Sequence, residues 1–140
     1  MSQFVLDASV ALAWFVDPVV HPYAEAVRER LTRKGRALVP PLWRMEVANG
    51  FVVAERRRTL SLADISEALD RLDALRAKSI DFSEQTFATR RLLATARSFH
   101  LTAYDAEYLE TARTLSLPLA TLDRPLREAA ERAGVELVQP

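Results

Sequence analysis

Gln3-Phe4-Val5-Leu6-Asp7 ends a short apolar run on a carboxylate, and Leu119-Ala120-Thr121-Leu122-Asp123 repeats the arrangement near the far end of the chain. Short apolar runs bounded by polar residues suit strands covered on both faces. Ligands of open α/β sheets bind beyond the carboxyl ends of such strands, where both aspartates fall. Outward from these runs, strands are expected at 3–7, 37–39, 79–82, 118–121 and 136–138. Amphipathic stretches at 9–15, 21–33, 41–57, 62–76, 84–98, 103–115 and 124–133 predict helices between them. This alternation is the α/β pattern. Pro118 suits a strand start, Pro40-Pro41 the first turn of the third helix, and Gly134 a helix stop.

At 140 residues the chain fits one domain, 1–140, with a sizeable core. It has no cysteine, so disulfides, thiolate zinc sites and a cysteine nucleophile are excluded. No basic stretch precedes the first apolar run, and no run approaches the length of a membrane span. A soluble, cytoplasmic protein is expected. Nineteen basic residues balance 19 acidic ones, which argues against a simple nucleic-acid-coating module. A nuclease escapes that objection, because its carboxylates offset basic residues placed elsewhere. All the basic residues but Lys34 and Lys78 are arginines, suited to bidentate pairing with phosphate or to solvated helix faces. Three glycines and no GxGxxG or Walker pattern set aside dinucleotide and P-loop chemistry.

Four acids stand out, each with a plainer reading. Asp7 could be a turn aspartate, with Ser9 as the cap of the next helix; Ser9 could instead orient a water. Glu46 shares a largely apolar helix face with Leu42, Trp43, Asn49, Gly50 and Val53. A carboxylate there must take a proton or find a cation, either one of the many arginines, such as Arg44, or a metal ion, with Asn49 one turn on as a hydrogen-bonding neighbour. Gly50 in mid-helix suggests close approach by another element. Asp105 fits the capping box Thr102-Ala103-Tyr104-Asp105, yet shares the inward face with Tyr108, Leu109 and Ala112. Asp123 could cap the helix opened by Arg124-Pro125, and Thr121 lies two residues before it on the same strand face. Carboxylates gathered at strand ends call for a hard cation such as Mg²⁺ or Mn²⁺.

Phe4-Val5-Leu6-Asp7-Ala8-Ser9-Val10, Glu46-Val47-Ala48-Asn49, Leu101-Thr102-Ala103-Tyr104-Asp105-Ala106 and Leu119-Ala120-Thr121-Leu122-Asp123 together resemble the PIN-domain ribonucleases, above all the VapC toxins of VapBC toxin–antitoxin pairs. The resemblance runs the length of the chain, in order. It implies a three-layer α/β/α fold around a parallel sheet of about five strands in the order 3-2-1-4-5. It implies that Asp7, Glu46, Asp105 and Asp123 hold Mg²⁺ or Mn²⁺, with Ser9, Asn49 and Thr121 around them. Gly50 departs from the pattern, where a bulkier residue is expected, and should slightly loosen the Glu46 helix. Hydrolysis of RNA, a homodimer and a cognate VapB-type antitoxin are also implied, with Arg124 and Arg127 as candidate phosphate contacts.

Trp14, Phe15, Trp43, Phe51, Val52 and Val53 carry more apolar bulk than one sheet face needs, and part of it could line a groove for a partner helix or a dimer seam. Arg56-Arg57-Arg58 reads first as a charge cluster closing the third helix. His21 and His100 read as a helix-start and a loop residue rather than catalytic groups. A phosphate-accepting receiver lacks its late-strand lysine here. A dehalogenase-like phosphatase lacks its D-x-D, since the sequence reads Asp7-Ala8-Ser9. A non-catalytic module of the same fold, contacting RNA or an antitoxin, is the remaining alternative.

Overall fold

Phe4, Val5 and Leu6 are all sealed from solvent. Successive strand residues point to opposite faces, so this strand must be covered on both. A computed structural model describes residues 2–139 and shows how. Gln3–Leu6 (β1), Arg36–Val39 (β2), Ile80–Phe82 (β3) and Leu119–Ala120 (β4) form a parallel sheet in the order β3-β2-β1-β4. The helices among the described residues are Ala8–Phe15 (α1), Pro22–Thr32 (α2), Leu42–Arg56 (α3), Leu62–Ser79 (α4), Thr89–Phe99 (α5), Ala103–Leu115 (α6) and Arg124–Ala133 (α7). None is long and apolar enough to cross a membrane.

The expected fifth strand is reduced to one parallel bridge, Leu119 to Leu137. The amide of Leu119 donates to the Glu136 carbonyl at 2.8 Å, and Val138 donates back to the Leu119 carbonyl at 2.9 Å. The reason is the brevity of β4. It spans two residues before Thr121 turns its hydroxyl toward Asp7, so the last segment has only Leu119 to pair with. The fifth helix begins at Thr89 rather than at 84. Ser83 accepts a hydrogen bond from the Gln85 amide at 3.1 Å, a local turn that competes with helix formation.

Two helices set the site. In α3, Trp43, Val47, Phe51 and Ala54 form the buried stripe, and Glu46 flanks it, half-buried. In α6, which packs against β1, β4, α5 and α7, every residue from Tyr108 to Ala112 is buried. Gly50 lets α1 press against α3: a Cβ there would lie 2.2 Å from Cδ2 of Leu12. The glycine therefore tightens the Glu46 helix against its neighbour rather than loosening it. For Gly50→Ala, overpacking of roughly 1–3 kcal/mol opposes a helix-propensity gain of about 1 kcal/mol. Chemical denaturation should find the variant about 1 kcal/mol less stable; a more stable variant would show that Leu12 turns aside freely.

Candidate metal centre

Asp7 follows β1 and starts α1, buried to 4% exposure. Its Oδ2 accepts two hydroxyls, Ser9 Oγ at 2.6 Å and Thr121 Oγ1 at 2.7 Å. Each hydroxyl is itself held by a backbone amide: Leu122 N–H donates to Ser9 Oγ and Asp123 N–H to Thr121 Oγ1, both at 3.0 Å. A hydroxyl has one proton, and both spend it on Asp7, so the 3.4 Å approach between Ser9 and Thr121 is packing. Ser9 is thus not the cap of α1. The N-cap position is Asp7, with no side-chain capping bond.

Glu46 reaches the same hollow from α3. Its Oε1 accepts the hydroxyl of Tyr108, at 2.7 Å, across 62 residues. Neither the expected pairing with Arg44 nor a hydrogen bond from Asn49 is present among the described residues, although Asn49 lines the hollow. Tyr108 escaped the sequence reading as a functional residue. Its signal was available: it shares the inward face with Asp105, and a buried phenol needs a hydrogen-bond partner.

Asp105 uses only part of its capping potential. Its amide donates to Thr102 Oγ1 at 3.1 Å. The return bond, in which the N-cap amide donates to the carboxylate and which completes the Ser61–Asp64 box of α4, is not found for Asp105 among the described residues, and Asp105 lines the hollow. Asp123 does both jobs. Its Oδ2 caps α7 by accepting from Leu126 N–H at 3.0 Å, and the residue also lines the hollow.

Asp7, Glu46, Asp105 and Asp123 therefore surround one depression of about 300 Å³, walled also by Ser9, Leu12, Asn49 and Gly50. None of the four joins an ion pair among the described residues. Burial, and then the other carboxylates, push Glu46 above its ordinary range, against the pull of Tyr108. Burial likewise raises Asp7; its two hydroxyl bonds resist and Asp123 adds to the rise. Asp105 is pushed up to about 6 by burial, then by Asp123 and Asp7. Among the described residues no three acids already stand close enough to grip an ion. The donor set, all carboxylate oxygen, fits a hard divalent ion.

This crowding has a pH signature. A carboxyl raised in the fold contributes stability present below its unfolded pKa and lost as pH rises through its folded one. For Asp105 the window runs from 3.8 to about 6. In chelator, the melting temperature should fall across that window more steeply for the wild type than for Asp105→Asn; parallel curves would contradict the crowding.

The candidate phosphate contacts differ. Arg124 is exposed and pairs with Glu128 at 3.1 Å. Arg127 is half-buried, donates to the Thr121 carbonyl at 2.7 Å and lies over the Tyr23 ring, which commits it to the fold. His21 starts α2 beside Asp17, and His100 ends α5. A roomier hollow, about 430 Å³, opens between α6 and α7 at the opposite end of the strands, beside Arg113, Pro118 and Gly134. It gathers no comparable set of acids.

The chain matches the family described as PIN domain over residues 4–132. It belongs to the PIN-domain family. PIN domains are generally nucleases, and PIN nucleases typically use divalent metals. Among solved structures, this PIN domain is similar to PAE2754 from Pyrobaculum aerophilum, at 20% identity and a TM-score of 0.65, over 91% of this chain and 84% of that one. It is similar also to FitAcB from Neisseria gonorrhoeae, at 20% identity and a TM-score of 0.63, over 98% and 97% of the two chains. At that identity the likeness speaks for the fold. No curated protein matches the chain.

Proposed function

We propose that this PIN domain is a Mg²⁺- or Mn²⁺-dependent endoribonuclease, the toxin of a type II toxin–antitoxin pair. One observation carries the reading: four acids from four separate elements line one hollow, with no cationic partner among the described residues. Uncompensated crowding of this kind is destabilising and persists where function requires it. Asp7, Asp105 and Asp123 would hold the ion, with Glu46 as a further ligand or as the group that orients the attacking water. A bound divalent ion neutralises the scissile phosphate and lowers the pKa of water. The chain's own part is to keep Asp7 fixed through Ser9 and Thr121 and to hold Asp123 by its capping bond. The openness of the hollow suits an unstacked strand, so single-stranded or looped RNA is the substrate class we assign.

A cognate VapB-type antitoxin and a homodimer complete the proposal. Most of the apolar bulk on α1 and α3 is core: Trp43 and Phe51 are buried, and Trp14 donates its indole N–H to the Ala24 carbonyl at 2.7 Å. What remains is Phe15, which with Leu75 lines a trough between α2 and α4, and Met45 and Val52, exposed on α3. These are the surfaces we assign to partners.

The test is incubation of the partner-free protein with total cellular RNA in Mg²⁺ or Mn²⁺ and in EDTA, beside Asp105→Asn. Discrete fragments that require both the ion and Asp105 support the proposal. Intact RNA from folded, ion-binding protein favours a non-catalytic module that contacts RNA or an antitoxin.

A further inference from the structure

Tyr108 is a buried phenol that bonds one of the four acids yet has no part in the proposed function. Its ring is fully buried on α6, one turn after Asp105, and its hydroxyl donates to Glu46 Oε1 across the gap to α3. No other hydrogen bond to Glu46 is found among the described residues.

We infer that Tyr108 is a positioning residue: its hydroxyl tethers the Glu46 carboxylate on one oxygen and leaves the other free for a divalent ion. This rests on reading the hollow as an ion site. The chemistry favours a phenol for the task. Glu46 sits on a helix with three side-chain torsions of its own, and without a tether it must be ordered when the ion arrives. An arginine or lysine would fix it equally well, but its positive charge would compete with the ion. A phenol donates a hydrogen bond and carries no charge. The tether therefore orders Glu46 without neutralising it. The plainer alternative is that Tyr108 fills the core and its hydroxyl takes the nearest acceptor.

The two alternatives differ in a double-mutant cycle read by calorimetric titration with Mn²⁺, a measurement that needs no RNA. Outer partners of metal ligands are typically worth 10–100-fold in affinity. Tyr108→Phe should weaken Mn²⁺ binding by about that factor in the wild-type background. In Glu46→Ala the same change should alter the affinity less than about twofold, since the group it acts through is gone. Equal losses in both backgrounds, or no loss in the first, would overturn the inference. A wild-type chain that does not bind Mn²⁺ at all fails differently, because it removes the ion site itself and the proposed function with it. Should Tyr108→Phe not fold, the Cζ resonance of Tyr108 carries the test in protein that keeps its tyrosine. Mg²⁺ should move it in the wild type and not in Glu46→Ala. A resonance indifferent to Mg²⁺ in the wild type, or moved alike in both, would overturn the tether.

Discussion

Asp7→Asn is expected to lower RNA cleavage by roughly 10²–10³-fold or more while folding at least as stably as the wild type. The two halves of that result have separate causes. The activity loss follows from removing the most buried carboxylate of the proposed ion site. The preserved stability follows from the hydrogen bonds, because an amide oxygen can accept both Ser9 and Thr121, as Oδ2 now does. Burial raises the Asp7 carboxyl, so its charged form is costly in the fold, and the neutral amide relieves that cost. Because Asp7 also pushes up Glu46 and Asp105, the variant should move the pH window of Asp105 downward. Ion binding provides the matching control. At 100 times Kd, Mg²⁺ or Mn²⁺ should stabilise the wild type by about 2.7 kcal/mol, a rise on the order of 8 °C for a domain of this size, and should stabilise Asp7→Asn much less. An unfolded variant, full activity, or equal stabilisation of both proteins would contradict the assignment.

The largest stability effect lies away from the hollow. Glu110 is buried on α6, its side chain 3% exposed, and it is held by Arg91 at 2.6 Å, Arg113 at 3.1 Å and the Thr95 hydroxyl at 2.8 Å. Both arginines are about half exposed and lie over Phe87 and Phe99 respectively. That asymmetry sets the outcome. Removing both arginines strands a buried carboxylate, which typically costs about 3–5 kcal/mol. Removing Glu110 releases two arginines into water, where they are readily solvated, and leaves only the Thr95 hydroxyl short of a partner, at about 1–3 kcal/mol. Arg91→Ala/Arg113→Ala should therefore lower the melting temperature by on the order of ten degrees or more, and by more than Glu110→Ala does. The reverse order in thermal melts would show that the fold accommodates the stranded Glu110 carboxylate without penalty.

Much of this architecture was legible because its signals are local. The runs ending at Asp7 and Asp123 are short and apolar enough to specify buried strands, and Pro118 and Gly134 mark a strand start and a helix end where the structure has them. The fifth strand was overestimated because the apolar segment near Leu137 carries a strand pattern, while the edge it would join is two residues long. Ser9 was misread as a cap because a serine just before a helix has the same sequence signature whether it bonds the helix or, as here, the preceding aspartate. The four acids were legible as a set and ambiguous singly. Asp123 shows why, since it caps α7 and lines the hollow at once. Glu46 with Tyr108 was not legible, because nothing local pairs residues 62 positions apart.

The bond from Thr121 to Asp7 joins residues separated by 114 positions. Seen as a matter of timing, this makes the hollow among the last features a growing chain can complete. Strands β1, β2 and β3 are complete by Phe82, but β4 inserts beside β1 only once residues past Thr121 are available. Until then Asp7 lacks one of its hydroxyl partners and Asp123 is absent. Contacts of such long separation form slowly, and domains emerge from synthesis amino end first. A chain interrupted anywhere before Leu119 carries at most three of the four acids.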